Sequence, residues 1–150
     1  YFPCNSEPMS QGTRCHQLAL YTILESPFNM LCDNPSNYMR EPESLEFISQ
    51  IPTVWDETRV LDGQVGEYIV TARRKGNVWY IGGITNWTER DVTVDFSFLN
   101  NASFRGVMFK DGVNAHRSAR DYTKEELETI SPVNIHMAPG GGFVMKLVLP

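Results

Sequence analysis

The spacing of apolar residues changes from helical to alternating near Pro52. From there the chain carries one short strand signal after another, with no helical stretch between them. Val92, Val94, Phe96 and Phe98 alternate with Thr93, Asp95 and Ser97, and Phe143, Met145, Leu147 and Leu149 repeat the pattern at the end. Successive strand side chains point to opposite faces, so each run predicts one buried and one wet face. Val65–Arg74 and Asn77–Thr85 read as a hairpin around Lys75-Gly76-Asn77. Thr53–Leu61, Ser103–Lys110, Leu127–Ser131 and Val133–Met137 bring the total to about eight strands. Turns are expected at Asp62-Gly63, Asn100-Asn101, Asp111-Gly112 and Pro139-Gly140-Gly141-Gly142. Such a series predicts an antiparallel β-sandwich of Greek-key type, with Phe96, Phe98, Phe143, Met145 and Leu147 inward.

Two helices are expected ahead of the sandwich, so the fold class is mainly β with an N-terminal helical segment. Leu18-Ala19-Leu20-Tyr21-Thr22-Ile23-Leu24 is apolar on nearly every side of a helix and stops at Ser26-Pro27. A helix without a polar face is a buried one, and it needs a body to pack against. Asp33-Asn34-Pro35-Ser36 reads as a turn. Pro42 suits a first helical position, Leu45 and Ile48 supply an apolar stripe, and Pro52 ends the helix. One sandwich packed on one side cannot cover all of Leu18, Leu20, Tyr21, Ile23 and Leu24, so the chain is expected to self-associate, as a dimer through this helix or as soluble aggregates.

Composition narrows the function classes. With 150 residues, 41% of them hydrophobic and 21% charged, the chain can bury a core. Lys and Arg total 13 against 18 Asp and Glu, a net charge of −5, which argues against a nucleic-acid binder and against docking on anionic lipid. No apolar run approaches the roughly 18 residues of a membrane helix. The opening Tyr1-Phe2-Pro3-Cys4-Asn5 reads as a loop inside something longer. Cys4, Cys15 and Cys32 do not make a disulfide framework; a Cys4–Cys15 or Cys4–Cys32 bridge is the alternative to buried free thiols.

Taken singly, the candidate residues identify no active site. Trp55, Trp79, Tyr80 and Trp87 suit either a sugar-stacking platform, as in a carbohydrate-binding module, or sandwich core. Trp79 and Tyr80 are strand neighbours and face opposite ways. Asp56-Glu57 should diverge likewise, whereas a glycosidase pair needs two carboxyls roughly 5 to 9 Å apart on one cleft. Glu41, Glu43 and Glu46 read as a solvated helix face, and Glu7 and Glu25 come from separate elements. Cys15-His16 with Cys4 and Cys32 lacks zinc-ligand spacing. The triple glycine lacks the Lys-Ser/Thr of a phosphate loop, no Gly-x-Ser-x-Gly elbow exists, and His116 and His136 have no evident partner. Asn86-Trp87-Thr88 and Asn101-Ala102-Ser103 are glycosylation triplets that arise easily by chance.

Longer strings say more. Glu7-Pro8-Met9-Ser10-Gln11-Gly12-Thr13-Arg14-Cys15-His16-Gln17-Leu18-Ala19 leads into Glu25-Ser26-Pro27 and Met30-Leu31-Cys32-Asp33. Pro52-Thr53-Val54-Trp55-Asp56-Glu57-Thr58, Gly66-Glu67-Tyr68 and Ala72-Arg73-Arg74-Lys75-Gly76 follow. Phe109-Lys110-Asp111-Gly112-Val113-Asn114-Ala115 and Ala138-Pro139-Gly140-Gly141-Gly142-Phe143 come last. In this order they closely resemble the C-terminal part of glycoside hydrolase family 97, the α-glucosidases and α-galactosidases typical of Bacteroides-like bacteria.

The resemblance implies that residues 1–51 are the last loop and helices of a (β/α)8 catalytic barrel. It implies that residues 52–150 are a C-terminal sandwich that braces the barrel and offers a subunit contact. It also implies a periplasmic parent that holds calcium and hydrolyses α-glucosides or α-galactosides. The family's catalytic carboxylates and calcium ligands align upstream of Tyr1. No catalytic, substrate-binding or metal-ligating residue is therefore carried onto this chain. The partners implied are the rest of the parent enzyme and a second copy, with no nucleic acid and no membrane.

Overall fold

A computed structural model describes residues 10–26, 28–31, 33–100, 102–128 and 131–150. Helices α1 (Arg14–Ile23), α2 (Pro35–Met39) and α3 (Pro42–Gln50) precede eight strands. The strands are β1 (Glu57–Gln64), β2 (Tyr68–Lys75), β3 (Val78–Thr85), β4 (Arg90–Val94), β5 (Arg105–Asp111), β6 (Tyr122–Leu127), β7 (Val133–Met137) and β8 (Gly142–Val148). A six-stranded antiparallel sheet runs in the order β1-β2-β3-β8-β5-β6, and β4 pairs with β7 in a second layer. The chain leaves the larger sheet twice, for β4 and for β7, and β8 then closes between β3 and β5. The expected mainly-β sandwich is what forms.

Its core lies between the layers. Val70, Ala72, Trp79, Ile81, Met108, Met145 and Leu147 from the large sheet meet Val92, Val94, Ile135 and Met137 from the β4–β7 pair. Phe143 is fully buried there, as expected. Phe96 is also fully buried, but it does not sit on a strand. β4 ends at Val94, and Ser97–Leu99 forms a single 3-10 turn that closes on Asn100 at φ 53. Phe98 is only half-buried, its ring edge-on to Trp79 at 5.0 Å.

The other face of the large sheet is buried too, which the alternation alone does not predict. Tyr80, Phe109 and Val144 point away from the β4–β7 pair and pack against Cys15 and Leu18 of α1 and Phe47 of α3. Phe47 sits edge-on to Phe109 at 5.3 Å and to Tyr80 at 6.2 Å. The sandwich is thus the body against which α1 packs. Cys15, Leu18, Ala19 and Thr22 are buried against the sandwich itself, and Leu20, Tyr21 and Ile23 are half-buried. Gly82 on β3 makes the approach possible, because a Cβ there would stand 3.1 Å from the Ala19 carbonyl oxygen and 3.2 Å from Thr22 and Ile23. Each buried leucine of such a helix contributes about 1.5–3 kcal/mol. The sandwich thus takes Cys15, Leu18, Ala19 and Thr22 out of any contact between copies, while Leu24 stays exposed.

Three α-helices, not two, lie among the described residues. Asn34, expected in a turn, caps α2 by accepting the Asn37 N–H at 3.1 Å, with Pro35 at the first position. Helix α3 starts at Pro42 as expected, but Ser44 and Phe47 are its buried residues, while Leu45 and Ile48 flank them half-buried. β1 begins four residues later than Thr53 and runs through Asp62-Gly63, with a bulge between Val60 and Asp62. β6 occupies Tyr122–Leu127 in place of Leu127–Ser131.

Candidate functional site

Three of the strings that carry the family resemblance, far apart in sequence, meet at one end of the sandwich through Thr13 and His16, Asp111 and the Ala138–Gly142 turn. The Ala138–Gly142 turn is the centre. Its Gly141 N–H donates to the Ala138 carbonyl at 2.7 Å, and Gly140 adopts φ 64, a left-handed conformation in which only glycine is unstrained. Asp111, at the end of β5, reaches under the turn. Its Oδ2 accepts the N–H groups of Ala138 and Gly142, both at 3.0 Å. A Cβ on Gly141 would stand 1.9 Å from that oxygen, so glycine is required there by space.

The helical segment docks on the same turn. The Thr13 N–H donates to the Gly140 carbonyl at 3.0 Å, and the Thr13 hydroxyl caps α1 by accepting the His16 N–H at 3.1 Å. His16 Nδ1 lies 3.2 Å from the Gly141 carbonyl oxygen. That oxygen can only accept, so Nδ1 carries the proton. The Arg14 N–H donates to the Ala119 carbonyl in the β5–β6 loop at 2.8 Å. The Gly140 N–H donates to the Asn86 carbonyl at 2.7 Å, and the next residue, Trp87, lays its ring over Gly140. The result is a clasp that fixes α1 to β5, β8 and the β3–β4 loop.

Its electrostatics are those of a structural joint. Burial pushes the Asp111 carboxyl above its usual range, against the opposing pull of the neighbouring Thr13 hydroxyl and the two backbone N–H groups. Asp111 Oδ1 is buried and has no hydrogen-bond partner within bonding geometry among the described residues. Burial also pushes the Cys15 thiol up, with Asp111 adding to the effect and Arg14 opposing it, so the thiolate is disfavoured. His16 is lowered, again by burial, with its bond to Gly141 acting the other way.

A second set of polar contacts holds α3. Arg14 pairs with Glu41 at 2.8 Å, the Tyr122 hydroxyl donates to Glu43 at 2.7 Å, and Lys124 lies 3.7 Å from Glu43. Burial and the Glu43 carboxylate push the Tyr122 phenol up to about 12. Lys146 donates to the Gln50 side chain, and the Tyr80 hydroxyl donates to the Gln50 carbonyl at 2.8 Å. Glu41 and Glu43 are therefore fasteners and not merely a solvated face.

The remaining candidates do not converge. Trp79 is buried in the core, and Trp55 is half-buried, edge-on to Tyr80 at 5.4 Å and beneath the Arg73 guanidinium. Only Trp87 of the three is exposed, so the aromatic row that a sugar platform needs is not formed. Asp56 is occupied by the Gly76 N–H at 2.8 Å and Lys75 at 3.4 Å, and Glu57 by Arg59 at 2.5 Å and Arg74 at 3.2 Å. These contacts hold both carboxyls below their usual range. Glu25 is exposed, 3.9 Å from Arg73. His136 bonds Asp91 at 2.9 Å on the surface, and His116 is exposed. Cys15 is a free thiol. Cys4, Glu7, Cys32 and Asn101 lie outside the described residues. The Asn86 amide is engaged with Gly66 and Thr88. Sequence reading missed Asp111 as a joint residue. The signal available was a buried-type Asp-Gly after an apolar strand, which reads equally well as a turn.

Comparison with known proteins places this joint in context. A family model described as "Glycosyl-hydrolase 97 C-terminal, oligomerisation" matches residues 54–148. The "Retaining alpha-galactosidase" of Bacteroides thetaiotaomicron is 66% identical over 149 residues, covering 98% of this chain and 22% of that protein. A "Probable retaining alpha-galactosidase" of Streptomyces bingchenggensis is 40% identical over 67 residues, covering 45% of this chain and 11% of that protein. The solved family 97 glycoside hydrolase of Pseudoalteromonas sp. strain K8, in complex with acarbose, superposes with TM-score 0.86 at 36% identity. The superposition covers 93% of this chain and 23% of that one. The chain thus spans about a fifth of the length of the Bacteroides relative. It belongs to glycoside hydrolase family 97, and residues 54–148 are that family's C-terminal oligomerisation domain.

Proposed function

We propose that this chain is the C-terminal end of an α-galactosidase, in which the sandwich braces the catalytic barrel and joins subunits while the chemistry takes place elsewhere in the parent. The observation that carries this reading is 66% identity to a retaining α-galactosidase along 98% of the chain. Residues 1–51 would close the barrel and residues 52–150 would form the sandwich. The family match beginning at residue 54 supports that division, as do the exposed apolar side chains of Phe28, Met30, Leu31 and Met39 ahead of it. The clasp then serves as the rigid joint between the two parts.

Calcium, which the family resemblance implies for the parent, does not fit the residues described. Among them no three His, Cys, Asp or Glu side chains converge on a point that could hold a metal ion. By the same resemblance the parent's calcium ligands align upstream of Tyr1 and the parent belongs to the periplasm. The full open reading frame, expressed and purified, should hydrolyse nitrophenyl α-galactoside and leave the α-glucoside. The 150-residue chain alone should hydrolyse neither. A preference for the glucoside would overturn the galactosidase reading. Turnover by the chain alone that disappears on substituting a single carboxylate would overturn its non-catalytic role.

A further inference from the structure

Among the described residues Arg73 is the one buried cation, its side chain 3% exposed. It stands on β2 directly opposite Tyr80 of β3, on the face of the large sheet that α1 and α3 cover. A guanidinium is costly to bury unless its charge is answered. Nη1 donates to the Leu24 carbonyl at 3.2 Å, at the C-terminal end of α1, where the helix dipole gathers negative charge. The Trp55 ring centroid lies 5.8 Å from the guanidinium carbon. The Glu25 carboxylate stands 3.9 Å from Nη2, but its side chain is 91% exposed and water screens the pair. Nε is buried and has no hydrogen-bond partner among the described residues. Contacts of this kind add little to stability, and an apolar side chain of similar length would cover α1 as well.

What the guanidinium does is join two distant points of the chain. The chain leaves the sheet at Leu24, after α1, and α3 brings it back, with Trp55 closing the return ahead of β1. Arg73 meets both Leu24 and Trp55. The return is fastened a second time beside it, because Trp55 sits edge-on to Tyr80 and the Tyr80 hydroxyl donates to the Gln50 carbonyl. Between the two points lies α2, which has no buried residue, and this stretch carries Phe28, Leu31 and Met39 with their apolar side chains exposed.

We propose that Arg73 is a positioning residue for the catalytic part of the parent: by holding both ends of residues 24–55 it sets how Phe28, Leu31 and Met39 are presented, and that part is seated on them. This role rests on the proposed reading of the chain as one end of a longer enzyme. The occupant follows from chemistry and length. The three side chains are apolar and α2 between Leu31 and Arg40 carries no charge, so the matching surface is apolar too. All three precede residue 54, where the oligomerisation match begins. The solved family 97 enzyme that shares this fold over 93% of the chain devotes 23% of its own length to it, so most of that enzyme lies outside the shared fold.

Hydrogen exchange and calorimetry test the role. In the 150-residue chain, Arg73→Met should speed exchange about tenfold at Leu24, Ser26 and Asp56 together, with residues 14–20 protected as in the wild type. Arg73→Lys, which keeps a donor for Leu24 and a cation for Trp55, should restore most of that protection. In the full-length parent the catalytic part and the sandwich should melt in one transition. Arg73→Met should split it in two, as should Phe28→Ser with Met39→Ser, and combining all three should split it no further, because they act at one joint. Loosening at one end only, or a single transition kept in the Arg73→Met parent, would overturn the role of Arg73 and leave the proposed function intact. A lower urea midpoint for the 150-residue chain bearing Phe28→Ser and Met39→Ser would place those side chains under cover within the chain and overturn the seat. A wild-type parent whose two parts melt independently would overturn both the seat and the bracing role.

Discussion

Asp111→Ala tests whether the clasp is a joint or an incidental contact. The carboxylate is buried and accepts two backbone N–H groups, those of Ala138 and Gly142, at 3.0 Å each. Alanine leaves both donors buried without an acceptor, at a cost of about 1–3 kcal/mol apiece. Part of this is offset, because the wild type also bears the cost of burying a carboxylate that burial has shifted upward. The expected net loss is about 2–4 kcal/mol. Urea unfolding should register it as a lower midpoint at constant slope, since the surface exposed on unfolding hardly changes. Hydrogen exchange at Ala138 and Gly142 should accelerate in the same variant. A loss under about 1 kcal/mol with both amides still protected would mean that they have another acceptor, and the account of the clasp would be wrong.

Asp111→Asn isolates the charge. Because the folded-state carboxyl is raised, its contribution to stability is fully present below the unfolded value near 3.9 and is lost as pH rises through the folded value. The stability of wild type relative to the asparagine variant should therefore increase on acidification through that window, and a difference that is flat or opposite in sign would refute the assignment. Phe96→Ala should cost about 3–5 kcal/mol by urea unfolding, because the ring is fully buried and meets Phe104 at 5.2 Å; a loss under about 1 kcal/mol would place it outside the core. Gly82→Val should loosen α1, since its side chain must enter the space held by Ala19, Thr22 and Ile23; unchanged exchange protection along residues 14–23 would contradict the packing. Cys15 should resist alkylation in the folded chain and react once it is unfolded, as read by peptide mass mapping, and rapid native labelling would refute its burial.

The sequence by itself determined the local grammar of this protein. β7 runs from Val133 to Met137 as the alternation predicts, and β3 and β8 fall within a residue or two of their expected limits. Helix α3 begins at Pro42 because a fixed φ and a missing N–H suit that position wherever it occurs. These are properties of neighbouring residues, set by backbone sterics and side-chain period. β6 escaped for the complementary reason. Tyr122-Thr-Lys-Glu-Glu-Leu127 is an exposed edge strand, so its pairing with β5 through the backbone leaves no apolar alternation to read.

Only the tertiary structure decided which faces are covered and which distant groups meet. Val144 and Tyr80 look like the outward positions of half-wet strands, yet both are buried because α1 and α3 close over that side. Asp111 looks like a turn residue until the chain brings it beneath Gly141, and Thr13 reaches Gly140 across more than a hundred residues of sequence. Local preference carries no information about such contacts. They depend on how the strands are ordered in the sheet, and β8 enters between β3 and β5 only after the rest of the sandwich has been laid down in sequence. Desolvation then turns an ordinary aspartate into a buried acceptor for two amides, an environment that exists only once the two ends of the chain have met.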